Sequence, residues 1–260
     1  MRFKFGRNWA KYAKRNLTEE RIKLSMLRIS DFLGCKSLEG KSFLDIGSGS
    51  GIHSLAASRL GASSVYSFDY DPESVKTTRL CKSIEKNPTH WHVEQGSVLD
   101  KTYLESLPDF DIVYSWGVLH HTGDMWSAIR NSAAKLKQGG LFYISLYAKE
   151  AYSDYERWIA VKRKYNSCGF VGKNYLLAKE TMRLLIGKLK NGENIIEYVF
   201  RYKEKRGMSF LHDQIDWIGG YPIEFSSKEE VINFCTKALS LQLKNISTGE
   251  GCSEFLFERP

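Results

Sequence analysis

The chain has 260 residues, of which 42% are hydrophobic and 26% charged, a composition typical of a globular protein with one sizeable core. It contains no apolar run of the roughly 18 residues needed to cross a bilayer, and its basic N-terminus lacks the apolar stretch of a secretion signal. The five cysteines form no C-x-x-C pair, which excludes a disulfide framework and favours free thiols in a cytoplasmic protein.

The net charge of +8 is unevenly distributed. Residues 1–30 hold nine Lys or Arg and two Asp or Glu, and residues 149–206 hold fourteen and seven, so each segment carries +7. The remainder of the chain carries −6. A basic segment either attracts an anionic ligand, a nucleic acid or a membrane surface, or is a solvated helix face, and the charge alone leaves these open.

The first half of the chain alternates between helix and strand patterns. In order, the patterns predict a helix over residues 17–33, a strand before a Gly-rich turn, a helix over 52–60, strands over 64–69, 90–95 and 111–115, a helix from Asp124 to about residue 136, and a strand over 141–147. Asp71 and Pro72 suit the N-cap and first position of a further helix. Such alternation predicts a parallel sheet covered on both faces.

The alternation stops after Tyr147. Residues 149–206 are basic, aromatic and mostly helical in period, and they are too long for a simple connection. We expect an inserted cap over the C-terminal edge of the sheet, with at least one basic side chain facing the pocket. A helix through residue 239 and two strand-like runs, 241–247 and 254–259, then predict a terminal β-hairpin.

The turn Asp45-Ile46-Gly47-Ser48-Gly49-Ser50-Gly51 follows a strand and opens a helix. Glycines permit tight turns and let a ligand lie against the main chain, and a helix N-terminus favours a carboxylate. A dinucleotide site would need the spacing G-x-G-x-x-G, but Ile52 stands where its third glycine belongs.

This D-x-G-x-G-x-G turn resembles motif I of class I S-adenosylmethionine (SAM)-dependent methyltransferases. The resemblance implies that Asp45 and the turn hold the amino-acid end of SAM. It also implies that Asp69, at the end of the second strand, accepts hydrogen bonds from the ribose hydroxyls, with Tyr70 beside the adenine. For Asp69, the alternative is a surface turn or a helix cap.

The segment Gln95-Gly96-Ser97-Val98-Leu99-Asp100 resembles the adenine-binding loop of the same family, although Ser97 replaces the usual Asp. Asp100 is either part of that loop's ligand contact or a helix cap. The residues that the resemblance assigns to the cofactor are Asp45, Gly47, Ser48, Gly49, Gly51, Asp69, Tyr70, Ser97, Val98, Trp116 and His121.

The segment from Phe110 to His121 resembles the family's motif after the fourth strand, in the version found in small-molecule methyltransferases related to ubiquinone-biosynthesis enzymes. That strand should end at the topological switch region, where ligands bind in open α/β sheets. We therefore expect His120 and His121 near the transferred methyl group, either as a general base or as walls of the pocket.

A third polar and aromatic cluster spans residues 206–222. His212 and Asp213 are candidates for a base and its partner, with Asp216 one helical turn away, or the segment is a structured hinge. At the N-terminus, Trp9 and Tyr12 resemble an entry helix that covers the pocket, or belong to a plain apolar stripe. The predicted catalytic residues are His120, His121 and His212, and the predicted substrate contacts are Trp9, Tyr12, Asp213, Asp216 and Tyr221.

The function implied is SAM-dependent methyl transfer to a small molecule, with S-adenosylhomocysteine as the second product. Oxygen is the expected acceptor atom, and an anionic precursor (phosphorylated, carboxylated or nucleotide-linked) remains open. No metal is expected, because His90 and His92 have no further ligands nearby. The oligomeric state is not fixed by the sequence.

Two alternatives remain open. The charge of +8 is compatible with an RNA methyltransferase, but the fourth strand ends in SWGVLHH, not in N-P-P-Y, and no Pro-Cys pair is present. The second alternative is a protein that binds SAM but does not catalyse methyl transfer.

The predicted fold is α/β: a doubly wound, seven-stranded, mostly parallel sheet with a terminal antiparallel β-hairpin and an inserted helical cap. The predicted domains are a helical entry segment (1–40), a SAM-binding Rossmann-like core (41–148), a helical cap or substrate insertion (149–225), and a C-terminal helix and hairpin that complete the core (226–260).

Overall fold

The structure is a computed structural model that describes Gly6 and residues 17–206, 210–249 and 251–260, apart from the side chains of residues 203–206 and 212. Within these residues the chain forms two compact units. The sheet unit comprises Gly6–Ser153 and Glu224–Pro260, and the helical unit comprises Asp154–Ile223.

The described part of the sheet unit contains one seven-stranded sheet, in the order β3-β2-β1-β4-β5-β7-β6. The strands are β1 (Ser42–Ile46), β2 (Ser64–Asp69), β3 (Trp91–Gln95), β4 (Phe110–Trp116), β5 (Leu136–Tyr147), β6 (Gln242–Thr248) and β7 (Cys252–Glu258). Strands β1 to β5 pair in parallel, whereas β7 is antiparallel to both β5 and β6. The predicted fold class is confirmed, including the terminal hairpin.

Helices follow the strands as the alternation predicted. In the sheet unit they are α1 (Glu19–Leu33), α2 (Ile52–Arg59), α3 (Pro72–Ile84), α4 (Lys101–Glu105), α5 (Met125–Ala133) and α10 (Lys228–Asn233), and in the helical unit α6 (Tyr155–Ser167), α7 (Phe170–Lys190), α8 (Ile195–Arg206) and α9 (Phe210–Gly219). Asp71 caps α3 by accepting from the backbone N–H of Glu73. Asp100 caps α4 by accepting from the N–H of Tyr103, so its role as a helix cap is confirmed.

Two predicted boundaries were wrong. The helix that begins after Asp124 ends at Ala133, and β5 already begins at Leu136. Gly139 adopts a φ of 69°, and the register between β4 and β5 shifts there, so the glycine pair lies inside the strand as an irregularity and does not precede it. The predicted helix through residue 239 is α10 followed by a π-helix, Phe234–Ala238.

Apolar side chains cover both faces of the sheet. Along β5, Phe142 and Ile144 point to one face and Tyr143 to the other, because successive residues of a strand alternate. The second face packs against α1 through Ile22 and Ile29. Since β1, β2, β4 and β5 run in parallel, their C-terminal ends meet at one edge of the sheet, where the candidate site lies.

The helical unit has a small core of Tyr165, Leu176 and Ile218. None of the helices in the described part of the chain has the length and hydropathy needed to cross a bilayer. Cys35, Cys81, Cys168 and Cys235 are free thiols.

Candidate functional site

The Gly-rich turn after β1 has the left-handed backbone that its glycines allow. Gly47, Gly49 and Gly51 have φ values of 80°, 53° and 79°. A Cβ atom on Gly47 would lie 2.4 Å from a methyl carbon of Val118, in the loop after β4. The turn therefore packs against that loop so closely that a side chain at residue 47 would not fit without movement.

Asp69 connects the end of β2 to the turn. One carboxylate oxygen accepts from the backbone N–H of Gly49 at 3.0 Å, and the other accepts from the N–H of Asp71 at 2.8 Å. Tyr70, the next residue, is 54% exposed. The side chain of Asp69 thus lies beside the turn at the strand end where the sequence predicted it, and it also holds the turn in place.

Asp45 is buried at the end of β1 and accepts a hydrogen bond from the hydroxyl of Ser54 at 2.5 Å. The hydroxyl of Ser67 donates to Ser54, and the indole N–H of Trp91 donates to Ser67. Burial raises the pKa of Asp45 to about 7, opposed by the bond from Ser54 and reinforced by the charge of Asp69. The carboxylate therefore belongs to an internal chain of hydrogen bonds between sheet and helix.

The remaining predicted cofactor residues surround this turn. The hydroxyl of Ser48 lies 2.9 Å from that of Thr78 on α3. In the loop after β3, the hydroxyl of Ser97 accepts from the N–H of Leu99, and Val98 is buried. The carbonyl of Val98 accepts from the side-chain amide of Asn131 at 2.9 Å, which fixes the loop against α5.

The loop after β4 carries the two histidines in a short 3-10 helix, Leu119–His121. The rings of His120 and His121 have centroids 4.5 Å apart, and His120 lies 4.2 Å from the ring of Tyr147 at the end of β5. His120 is fully buried, whereas His121 is partly exposed. Of the two rings, His121 is therefore the one that solvent or a ligand can reach.

Two further aromatic side chains extend this cluster. Tyr152 and Phe225 each have ring centroids 5.8 Å from Tyr147, and they lie 5.4 Å from one another. The wall that they form with the histidine rings was not predicted, because Tyr152 and Phe225 are 73 residues apart in the chain and neither lies in a recognisable motif. The sequence signal that could have indicated this wall is the presence of aromatic residues just after β5 and just after the insertion.

Glu224 ties the wall to the loop after β4. Its carboxylate accepts from the N–H of Met125 at 2.8 Å, and its own N–H donates to the carbonyl of His120 at 2.9 Å. Burial raises the pKa of Glu224, partly offset by the bond from Met125. This residue, which sequence patterns did not reveal, follows the insertion in the chain and holds the histidine loop in position.

Trp116 ends β4 on the face covered by α1. Its indole N–H is buried and has no hydrogen-bond partner among the residues that the structure describes. The guanidinium of Arg28 lies 5.2 Å from its ring centre and pairs with Glu254 at 2.6 Å. Nearby, burial and then Arg28 lower the pKa of His53 to about 4, so that His53 is neutral at pH 7.

The other predicted substrate residues lie in the helical unit or outside the described residues. Asp213 accepts a hydrogen bond from the hydroxyl of Tyr202. Asp216 acts electrostatically on Lys162 and Tyr165. Tyr221 lies just beyond α9, and the backbone of His212 lies within α9, while Trp9, Tyr12 and the side chain of His212 fall outside the description. No group of three His, Cys, Asp or Glu side chains suited to a metal ion occurs among the described residues.

The residues at this edge fit SAM. Helix α2 begins at Gly51 without a side-chain cap, so the backbone N–H groups of its first turn can meet a carboxylate. The indole N–H of Trp116 is a further buried donor. The Asp69 carboxylate, which can accept up to about four hydrogen bonds, suits ribose hydroxyls.

The fold and the site define a SAM-dependent methyltransferase of class I. A profile of the family described as "Methyltransferase domain" matches residues 17–185, more than half of the chain, and the protein belongs to that family. SAM is therefore its cofactor.

Curated relatives match over part of their length. The chain is 24% identical over 159 residues to a ribosomal protein L11 methyltransferase of Streptococcus pneumoniae, a match covering 60% of this chain and 46% of the relative. A ribosomal protein L11 methyltransferase of Bacillus licheniformis is 32% identical over 107 residues, covering 41% and 32%. The chain thus spans less than half the length of these relatives.

Solved structures share the fold at low identity. Magnesium protoporphyrin IX methyltransferase from Synechocystis PCC 6803, with bound S-adenosylhomocysteine, aligns with a TM-score of 0.56 at 12% identity, covering 92% of this chain and 84% of that one. A SAM-dependent methyltransferase from Aquifex aeolicus aligns with a TM-score of 0.52 at 13% identity, covering 96% and 98%. An O-methyltransferase family protein from Burkholderia thailandensis aligns with a TM-score of 0.57 at 12% identity, covering 92% and 57%.

Proposed function

We propose that the enzyme methylates an oxygen atom of a small molecule. The observation that carries the proposal is the pair of adjacent histidine rings after β4, enclosed on one side by Tyr147, Tyr152 and Phe225. An aromatic wall with one accessible imidazole suits an acceptor that presents an apolar or planar body and a hydroxyl.

The Gly-rich turn and Asp69 are the proposed cofactor contacts, together with the N-terminus of α2 and the loop containing Ser97 and Val98. When bound, SAM supplies a methyl group on a positively charged sulfonium. The proposed contribution of Asp45 to cofactor binding is indirect. Its carboxylate is buried and accepts a hydrogen bond from Ser54 on α2. Trp116 donates from the end of β4, and Tyr70 remains the proposed neighbour of the adenine.

His121 is the proposed general base for a hydroxyl acceptor. Its ring is partly exposed, and it packs against both the buried ring of His120 and the ring of Tyr147. The imidazole of His121 would take the hydroxyl proton as the carbon–oxygen bond forms and the carbon–sulfur bond breaks, with S-adenosylhomocysteine as the leaving group, and His120 would hold that imidazole in position. A carboxylate or phosphate acceptor is already anionic and would need only alignment and exclusion of water.

The helical unit remains the proposed source of acceptor contacts, from Asp213, Asp216 and Tyr221, with His212 as a second candidate base. The excess of basic residues in this part of the chain favours an anionic acceptor.

Protein methylation is the main competing function, since the curated relatives are named as ribosomal protein L11 methyltransferases. RNA is the other competitor, suggested by the net charge of +8. Both would use the same cofactor site, so the acceptor has to be identified directly.

The test uses the purified chain, SAM labelled in its methyl group and a cell extract separated into small molecules, RNA and protein. We expect label in the small-molecule fraction. Alkaline hydrolysis then separates the acceptor chemistry, because a methyl ester releases its label and a methyl ether keeps it. Label that stays with RNA or protein after denaturation would contradict a small-molecule acceptor.

A further inference from the structure

The outer face of α7 carries an exposed apolar stripe formed by Val171, Tyr175, Met182, Ile186 and Leu189. Their exposed fractions run from 46% for Ile186 to 81% for Val171. Their separations of four, seven, four and three residues keep them on one side of a helix with about 3.6 residues per turn. The stripe is therefore one continuous surface along the helix.

The inner face of the same helix is already used. Leu176 packs with Tyr165 and Ile218, and Glu180 is buried in an ion pair with Arg157. A surface helix ordinarily turns its apolar side to the core and its polar side to water. In α7 the outer side is apolar as well, which marks a surface for binding.

Basic side chains border the stripe on one flank. Lys179, Arg183 and Lys190 are exposed and lie about 40–80° around the helix from Tyr175, at 100° per residue. The helix has five Lys or Arg and one Glu, a net charge of +4. On the next helix, α8, Ile196 and Phe200 are also exposed, at 70% and 80%.

We propose that α7 binds the surface of an anionic lipid bilayer, with the apolar stripe in the acyl boundary and the basic flank at the headgroups. The pattern of aromatic and aliphatic residues bordered by Lys and Arg is that of helices that lie in the membrane interface. Charge complementarity selects this occupant. A second copy would bring two helices of charge +4 together, and a nucleic acid would leave the aliphatic stripe in water.

The test is co-sedimentation of the full chain with vesicles of phosphatidylcholine alone or mixed with phosphatidylglycerol. We expect binding to the mixed vesicles at low salt, weakened by high salt because the basic flank is screened. The stripe variant Tyr175→Asp with Met182→Asp and the flank variant Lys179→Glu with Arg183→Glu should each reduce the partition coefficient at least about tenfold.

Matched controls lie on α3, where Leu80 is 52% exposed and Lys82 is partly exposed. Leu80→Asp and Lys82→Glu should bind vesicles like the unchanged protein. Circular dichroism and SAM affinity report whether each variant is folded. The proposal fails if the unchanged protein does not bind the mixed vesicles, or if the folded stripe variant binds them normally.

Two other results would also overturn the proposal. Light scattering that shows a dimer broken by the stripe variant would assign the face to a second copy. Binding of RNA that requires both stripe and flank, without vesicle binding, would assign it to a nucleic acid.

Discussion

The two units of this molecule bury different kinds of side chain. In the sheet unit, large aromatic side chains such as Phe43, Phe142 and Trp91 are fully buried. In the helical unit, Lys162 is fully buried and Glu180 nearly so, while Phe170 and Phe200 are at least 80% exposed. At these four positions the helical unit departs from the usual burial of apolar and exposure of charged side chains.

This difference distinguishes apolar residues that are required for packing from apolar residues that are available for binding. Both faces of a parallel sheet must be covered, so the apolar residues of the sheet unit are fixed by packing. A bundle of amphipathic helices has more freedom, and exposed apolar residues in it point to binding. The proposed cofactor contacts accordingly lie in the sheet unit, and the proposed membrane-binding stripe lies in the helical unit.

The largest expected effect concerns the Gly-rich turn. Gly47→Val should abolish SAM binding in calorimetric titration, because Gly47 has a φ of 80° and its Cβ would collide with Val118. Gly139→Ala is the matched control, since Gly139 has a φ of 69° but open space around it. It should lose about 1–2 kcal/mol of stability and keep its SAM affinity.

A smaller variant distinguishes collision from backbone strain at the same position. Gly47→Ala should weaken binding, and adding Val118→Ala, which removes the two nearest methyl carbons, should restore part of it. Normal SAM affinity in Gly47→Val would mean that this turn is not the cofactor site.

The second prediction concerns the proposed base. With a hydroxyl acceptor, His121→Ala should lower turnover about 10²–10⁴-fold and leave SAM affinity nearly unchanged, since the imidazole acts on the acceptor. His92→Ala, which removes an exposed histidine from β3, should leave turnover unchanged. Near-normal turnover in His121→Ala would point to alignment alone, and an anionic acceptor would then be the better hypothesis.

The third prediction concerns the ribose contact. Asp69→Ala should weaken SAM binding by about 1.5–3 kcal/mol, the loss typical of hydrogen bonds to a charged group. Asp100→Ala is its control, because Asp100 caps α4 and should cost about 1 kcal/mol of stability without changing SAM affinity. Equal SAM affinity in folded Asp69→Ala would remove Asp69 from the site.

Much of the sheet unit could be predicted from the sequence because its signals are local. The strands, the Gly-rich turn and the caps at Asp71 and Asp100 each depend on a few neighbouring residues. The boundary of β5 was missed because Gly139 and Gly140, which usually end an element, here lie within a strand irregularity.

The site was only partly predictable, because its walls come from distant segments. Glu224 and Phe225, which follow the helical unit in the chain, contact the histidine loop and Tyr147, contacts that no spacing rule reveals. Arg28 and His53, near Trp116, were missed for the same reason. The periodicity of α7 predicted a helix. Because apolar residues occur on two of its faces, the sequence did not indicate which face would be buried.

The smallest expected effect concerns the buried side chain of Lys162 in the helical unit. Lys162 donates to the carbonyl of Trp217, and its ammonium lies 4.0 Å from the centre of that indole ring. Burial lowers the pKa of Lys162 to about 7, with the charge of Asp216 opposing the shift, while burial and then Asp216 raise the pKa of Tyr165.

An unfolded Lys has a pKa near 10.5, so between pH 7 and about 10 the unfolded chain holds a proton that the folded chain has released. Lys162 should therefore make stability rise with pH in this window, by up to about 1.4 kcal/mol per pH unit. The free energy of unfolding, measured with urea at pH 7, 8 and 9, should rise less steeply with pH in Lys162→Met than in the unchanged protein. Lys164→Met, at an exposed neighbour, should match the unchanged protein. Loss of the hydrogen bond to the Trp217 carbonyl should lower stability equally at each pH. The dependence of stability on pH therefore reports the titration of Lys162 and not the loss of packing. An unaltered slope would mean that Lys162 keeps its charge in the folded unit.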